Sequence, residues 1–264
     1  MSLDVSSPAN AEAGGPAGAI EILNGRFAPI TLEETVALVS RRIRAGERGY
    51  LCTVNVAILM MMRQDPRLQR FVDNAALVVA DGQPLIWGSR MLRRRLPERV
   101  AGVELVERLC EQAAREGFGV YLLGGRRDVV EKVAERFKAQ FPGLQLSGVE
   151  DGYFKDDEAK ERADAVARSG AKILIAAMGV PRQEWFIEEH WDRLGVPFAI
   201  GVGGSFDVLA GLRARAPVVI QRIGLEWLFR LAQEPGRLWK RYLVTNAQFL
   251  YLMSREILVS PSDG

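Results

Sequence analysis

The sequence predicts an α/β domain built on a mostly parallel sheet with helices on both faces, followed by a C-terminal helical appendage rich in basic and aromatic residues. Two observations predict the domain. Short β-branched or apolar runs alternate along the chain with amphipathic segments of helical period. Several of those runs end abruptly in glycine and then a polar residue, the pattern of a chain turning from a strand into a helix. A third observation sets the scale: 264 residues with 48% hydrophobic content suit one large domain plus an extension better than two independent domains.

The elements follow in order. Residues 1–19 are small, polar and rich in Gly, Pro and Ala, with neither a basic n-region nor an apolar h-region, so they read as a disordered lead-in. Leu32 to Arg44 has the first amphipathic helical pattern, and Tyr50 to Val56 the first strand pattern. The longest apolar run, Leu51 to Met62, is interrupted by Thr53 and Asn55 and falls short of the ~20 residues a bilayer span requires. Leu77 to Ala80 is a strand that meets Asp81 and Gly82, and Pro84 suits the first turn of a helix. Gly102 to Glu116 is helical. Gly119 to Leu123 is a strand running through Gly124 and Gly125 into a helix over Asp128 to Phe141.

A helix over Asp157 to Ser169 precedes a strand over Lys172 to Ala177. Pro181 then opens a helix over Arg182 to Leu194, with Arg182, Gln183 and Glu184 in its first turn near the same rim. Phe198 to Val202 is the last strand, ending in Gly203, Gly204 and, beyond them, Asp207. Together these segments make a Rossmann-like domain over residues 20–212 and an appendage over 213–264. No internal repeat is present.

Composition removes several classes of function. Cys52 and Cys110 lie in apolar or helical contexts and form no disulfide framework, which points to a reduced, cytoplasmic compartment. His190 is the one histidine; on the helix Arg182 to Leu194 it reads as solvated or capping, and a His-based metal site is excluded. The net charge is +2, and the tail from Arg213 carries eight Arg or Lys against four Asp or Glu, so the tail holds +4 and the remainder −2. With so small an overall charge and no recognition module, nucleic acid is not a partner. The run GVGGSF places Phe206 where a dinucleotide fingerprint needs its third glycine, which disfavours a nicotinamide or flavin enzyme. No Asp-any-Asp triplet occurs, so the usual carboxylate pair for Mg²⁺ or Mn²⁺ on a nucleotide diphosphate is missing.

The chemistry therefore rests on carboxylates, arginines and amides at strand ends, where open α/β sheets collect ligands. Gly203 and Gly204 let the backbone present NH groups to an anion, and Asp207 can accept from a base or sugar donor. Gly124 and Gly125 place a helix N-terminus toward a phosphate or ribose. Asp81, directly after a strand and before Gly82, faces the mouth of the pocket. The same residues also fit ordinary strand-to-helix turns capped by aspartate.

The motifs taken together decide between these readings. TVN at Thr53 to Asn55, ADGQPLIW, RVAGVEL at Arg99 to Leu105, GVPRQEW and GVGGSFD followed by AG and RAP resemble, in order and spacing, the WecG/TagA/CpsF glycosyltransferases, glycosyltransferase family 26. The resemblance covers Ile22 to Tyr242. It implies an inverting, metal-independent enzyme, without a cofactor, that moves a sugar from a UDP-sugar to a polyprenyl-diphosphate-linked saccharide at the cytoplasmic membrane face. UDP-N-acetylmannosamine is the family's best-known donor. UDP-glucose and the N-acetylmannosamine uronic acid donor remain alternatives, as does a non-catalytic nucleotide-binding module recruited to the membrane.

By motif, the resemblance makes Asp81 the general base, with Asn55 orienting and Thr53 and Asn55 lining the donor pocket. Arg99 binds diphosphate and Gln183 holds the sugar; Gly124, Gly125 and Asp207 surround the uridine, and Arg230 and Arg237 reach the site from the appendage. The chain departs from the family pattern with Glu104 for aspartate and Arg182 for lysine. Lys240 stands where a further tail arginine is expected, with Arg241 beside it.

From Leu225 onward, Trp227, Phe229, Trp239, Tyr242, Phe249 and Tyr251 alternate with basic residues in helical patterns broken near Pro235 and Gly236. Such a tail suits either a membrane surface or packing on the domain or a second subunit, so a homo-oligomer is also compatible. The arginine cluster from Ser89 to Arg99 reads as a solvated face that can also meet lipid phosphate.

Overall fold

The fold is described from a computed structural model, over residues 18–233 and 235–259, with the side chains of residues 218, 222, 237, 238 and 241 left aside. The expected lead-in over residues 1–19 lies almost entirely outside the described residues.

A hairpin of β1 (Ile20–Ile22) and β2 (Gly25–Phe27) leads into α1 (Leu32–Arg44), which starts at a Thr31/Glu34 capping box. Then come β3 (Gly49–Val54), α2 (Val56–Gln64), α3 (Pro66–Asp73), β4 (Leu77–Ala80), α4 (Gln83–Met91) and α5 (Gly102–Glu116). They are followed by β5 (Gly119–Gly124), α6 (Arg127–Gln140), β6 (Gln145–Glu150), a short 3₁₀ turn (Asp156–Glu158), α7 (Ala159–Arg168) and β7 (Ile173–Ala177). The chain closes with α8 (Arg182–Leu194), β8 (Phe198–Gly201), α9 (Ser205–Leu209), α10 (Val218–Arg222), α11 (Glu226–Gln233) and α12 (Pro235–Val259).

The six strands of the main sheet are all parallel, in the order β4-β3-β8-β7-β5-β6. Helices cover both faces, and the two apolar clusters so formed bury strand residues alternately. Val54, Leu123 and Leu174 face one cluster, while Leu51, Leu122 and Ile175 face the other. The expected α/β fold with a helical tail is the observed one.

Two local expectations are corrected. The strand read as Tyr50 to Val56 stops at Val54, because the Asn55 side chain accepts from the Ile58 amide at 3.1 Å and so caps a helix the sequence reading did not separate from the apolar run. His190 is neither solvated nor a cap: it is half-buried with its ring 5.3 Å from that of Phe186, and burial holds its pKa below the ordinary imidazole range. Both cysteines are buried and free.

The parallel arrangement brings the carboxyl ends of β4, β3 and β8 together at one edge of the sheet. Thr53 Oγ1 donates to the Gly201 carbonyl at 3.1 Å across β3 and β8. The Asp81 amide donates to the Val54 carbonyl at 2.8 Å across β4 and β3. The helical tail closes over this edge. On α12, Tyr242, Thr245, Phe249 and Met253 recur at helical spacing and are buried, Phe249 and Met253 in the same apolar cluster as α2.

Candidate active site

Over the joined strand ends lies a cleft of two connected lobes. The larger, of about 370 Å³, falls within the roughly 300–1,000 Å³ typical of small-molecule sites, and Thr53, Gln183, Gly203, Gly204 and Asp207 line it. The smaller lies toward α4 and the tail, where Arg99, Gln221, Trp227 and Asn246 contribute. Asn55, Asp81, Glu226, Arg230 and Tyr242 line both lobes, so they stand where the two meet.

Asp81 is held there by the end of β4. It is only partly exposed, and its Oδ2 lies 3.5 Å from the Gly102 amide. Burial pushes its carboxyl pKa up; Arg99 pulls it back down, Glu226 adds to the rise, and Arg230 opposes it. So placed, with no direct ion pair among the described residues, Asp81 stands at the junction of the two lobes with an oxygen that can accept a hydrogen bond or a proton.

Arginines gather around it, each engaged by a carboxylate. Arg99 is largely buried; it donates to Glu226, donates to Gln221 Oε1 at 2.9 Å and lies 3.7 Å from Glu104. Arg230 lies 3.8 Å from the other oxygen of Glu226. Arg215 pairs with Glu104, and Arg213 lies 3.3 Å from Asp207. Among the described residues, Arg99, Arg213, Arg215 and Arg230 thus line the lobes together with Asp81, Asp207 and Glu226, with Glu104 beside them.

Most of the residues singled out from the sequence converge here. Gln183 is buried, accepting from the Gly203 amide at 2.9 Å and donating to Glu184 Oε1 at 2.8 Å, so it fixes the glycine turn after β8. The Gly203 amide therefore points at protein rather than standing bare. Gly124 and Gly125 end β5 on the same edge of the sheet but line neither lobe. At φ +151° a Cβ on Gly124 would sit 2.4 Å from the Ala177 carbonyl oxygen, so close strand packing already requires glycine there. Of the three polar residues opening α8 only Gln183 lines the cleft. Arg182 turns away to stack over Phe154 at 4.9 Å, and Glu184 is buried behind the site. Arg237 lies in α12, but its side chain, like that of Arg241, is outside the described residues; Lys240 is exposed beside Trp239.

The sequence reading missed Glu226, Gln221, Asn246 and Arg215. Arg215 had a signal as the first residue of the RAP motif; the other three had only the helical tail pattern, and periodicity does not say that α10, α11 and α12 fold back over a strand end. Among the described residues no three His, Cys, Asp or Glu side chains gather as a ligand set for a metal.

An open parallel sheet with a carboxylate and arginines over its carboxyl edge, joined by a helical tail, defines this protein as a glycosyltransferase once the comparisons are added. The model of the Glycosyl transferase WecG/TagA/CpsF family matches residues 20–262, and the chain belongs to that family. It is 34% identical over 195 residues to an N-acetylglucosaminyldiphosphoundecaprenol N-acetyl-beta-D-mannosaminyltransferase of Bacillus spizizenii strain W23, covering 74% of this chain and 75% of that protein.

Proposed function

We propose that this enzyme transfers N-acetylmannosamine, with inversion, from a UDP-sugar to a polyprenyl-diphosphate-linked N-acetylglucosamine in cell-surface polysaccharide or teichoic acid linkage-unit synthesis. The observation that carries the reading is the position of Asp81 at the junction of the two lobes, with Arg99 and Arg230 beside it. The activity for which the Bacillus relative is named supports the sugar and the acceptor.

In this reading the donor occupies the larger lobe and the acceptor sugar approaches through the smaller. The acceptor hydroxyl attacks the anomeric carbon from the face opposite UDP, Asp81 takes its proton, and the bond from that carbon to the diphosphate oxygen breaks. Negative charge growing on the departing UDP is met where the lobes join by Arg230, which lines both, and by Arg99, whose guanidinium Gln221 and Glu104 hold in place, so these groups stabilise the transition state more than the ground state. Arg237 is the further tail cation. Asn55, fixed as the cap of α2, orients a substrate hydroxyl beside Asp81.

Residues 213–264 act as an appendage that completes the site and meets the inner face of the membrane. Among the described residues no helix is long and apolar enough to cross a membrane. The outer side of α12 nonetheless exposes Trp239, Leu243, Leu250 and Tyr251, with Lys240 beside them, which fits an interfacial helix.

The test is a donor panel, UDP-N-acetylmannosamine, its uronic acid and UDP-glucose, on a short-chain diphospholipid N-acetylglucosamine, with the product linkage determined by NMR. Inverted transfer of N-acetylmannosamine that persists in chelator is the expected result. Transfer from another donor alone, or with retention, overturns the assignment.

A further inference from the structure

The two arginines beside Asp81 are not waiting open. Glu226, from the start of α11, pairs with Arg99 through one carboxylate oxygen and faces Arg230 through the other. Its partners are far apart in the chain: Arg99 precedes α5 and Arg230 lies one turn along α11. A carboxylate bridging two guanidinium groups presents to them what one phosphoryl group would, two oxygens with delocalised negative charge. Glu226 also lines both lobes, so it stands within the space a substrate must cross.

We propose that Glu226 is the resident occupant of the diphosphate site, a tail carboxylate that surrenders Arg99 and Arg230 when a diphosphate-bearing substrate binds. This rests on the reading of the cleft as a nucleotide-sugar site. Release of Glu226 does not set Arg99 adrift, because the Gln221 carboxamide at 2.9 Å and Glu104 at 3.7 Å continue to hold its guanidinium. The exchange therefore replaces one anion by another on a fixed cation instead of building a cation site afresh. Until that exchange, the same ion pair ties α11 over the strand ends, so the tail is closed in the free enzyme and the arginines are shielded from unrelated anions.

Competition of this kind has a sign. Removing the carboxylate charge strengthens binding of the competing anion, whereas removing a residue that merely supports the fold weakens it. The experiment is calorimetric titration of the full chain with inorganic pyrophosphate and, separately, with UDP, for wild type, Glu226→Gln, Glu226→Asp and Glu111→Gln. Glu111 pairs with Arg108 and Arg115 on α5 and lines neither lobe, so it controls for the change in net charge.

We expect Glu226→Gln to bind both ligands about tenfold more tightly, about 1.4 kcal/mol. Glu226→Asp, too short to span both arginines, should tighten binding by a few-fold and decides the matter if the glutamine variant fails to fold. Glu111→Gln should stay within about twofold of wild type. Unchanged or weaker binding by a folded Glu226 variant overturns the inference, as does equal tightening in Glu111→Gln. Wild type that binds while the Glu226 variants gain nothing leaves the nucleotide-sugar reading standing. Failure of wild type and both Glu226 variants alike to bind takes down that reading and the inference together.

Discussion

Asp81 is held where its charge is costly. Burial raises its folded-state pKa above the ordinary carboxylate value, so the folded protein binds that proton more tightly than the unfolded chain does, and stability falls as pH rises through the interval between the two values. At neutral pH we therefore expect Asp81→Asn to melt no lower than wild type, and by calorimetry somewhat higher, while transfer collapses. As the proposed base Asp81 has to be ionised, so kcat/KM should decline on the acid side at a pH above the ordinary carboxylate range. Removing the Glu226 charge, which contributes to the rise, should move that limb to lower pH. Glu184 gives a parallel case without catalysis: burial raises its carboxyl to about 7, and one of its oxygens has no hydrogen-bond partner. Its ionisation lowers stability as pH rises from near 4.5 to about 7, so Glu184→Gln should raise the melting temperature at pH 8 and leave it unchanged at pH 4. Asp81 was legible from sequence because it follows a strand and precedes a glycine and a helix-starting proline. Glu184 sits in an equally polar motif, but which of three consecutive helix residues points inward depends on how α8 lies on the sheet, and the linear pattern does not contain that.

The elements that matter most are the turns and the tail. The amphipathic helices Leu32–Arg44, Gly102–Glu116 and Arg182–Leu194 were legible because each presents a full apolar stripe. Strand β6 was not: it lies at the sheet edge, none of its residues is fully buried, and Ser147 and Gly148 interrupt its alternation. The pairing of β3 with β8, which unites Thr53 with the glycine turn of β8, is a long-range event that no local pattern announces. Tail placement depends on Gly224, at φ +67°, where a Cβ would fall 2.5 Å from the Trp87 ring. Gly224→Ala should therefore displace α11 and lower transfer at least tenfold. Its melting temperature should fall only slightly, because most of the core lies in the sheet domain; equal activity in the two proteins would contradict this placement. Arg230→Ala, on a half-buried residue of α11, should lower kcat/KM about 10- to 100-fold, about 1.4–2.7 kcal/mol of transition-state stabilisation, without unfolding the chain.

At the scale of the whole molecule, the proposed mechanism takes its base from the end of a parallel-sheet strand and one of its leaving-group cations, Arg230, from the helical tail, so it requires the two to stay together. The aromatic tail separates into two faces that the sequence pattern alone could not assign. Tyr242 and Phe249 pack inward, while Trp239 and Tyr251 remain outside with Leu243 and Leu250. Changing Leu243, Leu250 and Tyr251 together to Glu should abolish flotation with anionic liposomes and leave the melting temperature within a few degrees; flotation equal to wild type would remove the membrane role from this face. The most direct test of the account is UDP release from UDP-N-acetylmannosamine with a diphospholipid N-acetylglucosamine acceptor, in chelator, for wild type and Asp81→Asn, with UDP affinity measured on both. We expect a fall of about 10²- to 10⁴-fold in turnover at unchanged UDP affinity. Turnover within a few-fold of wild type would contradict it.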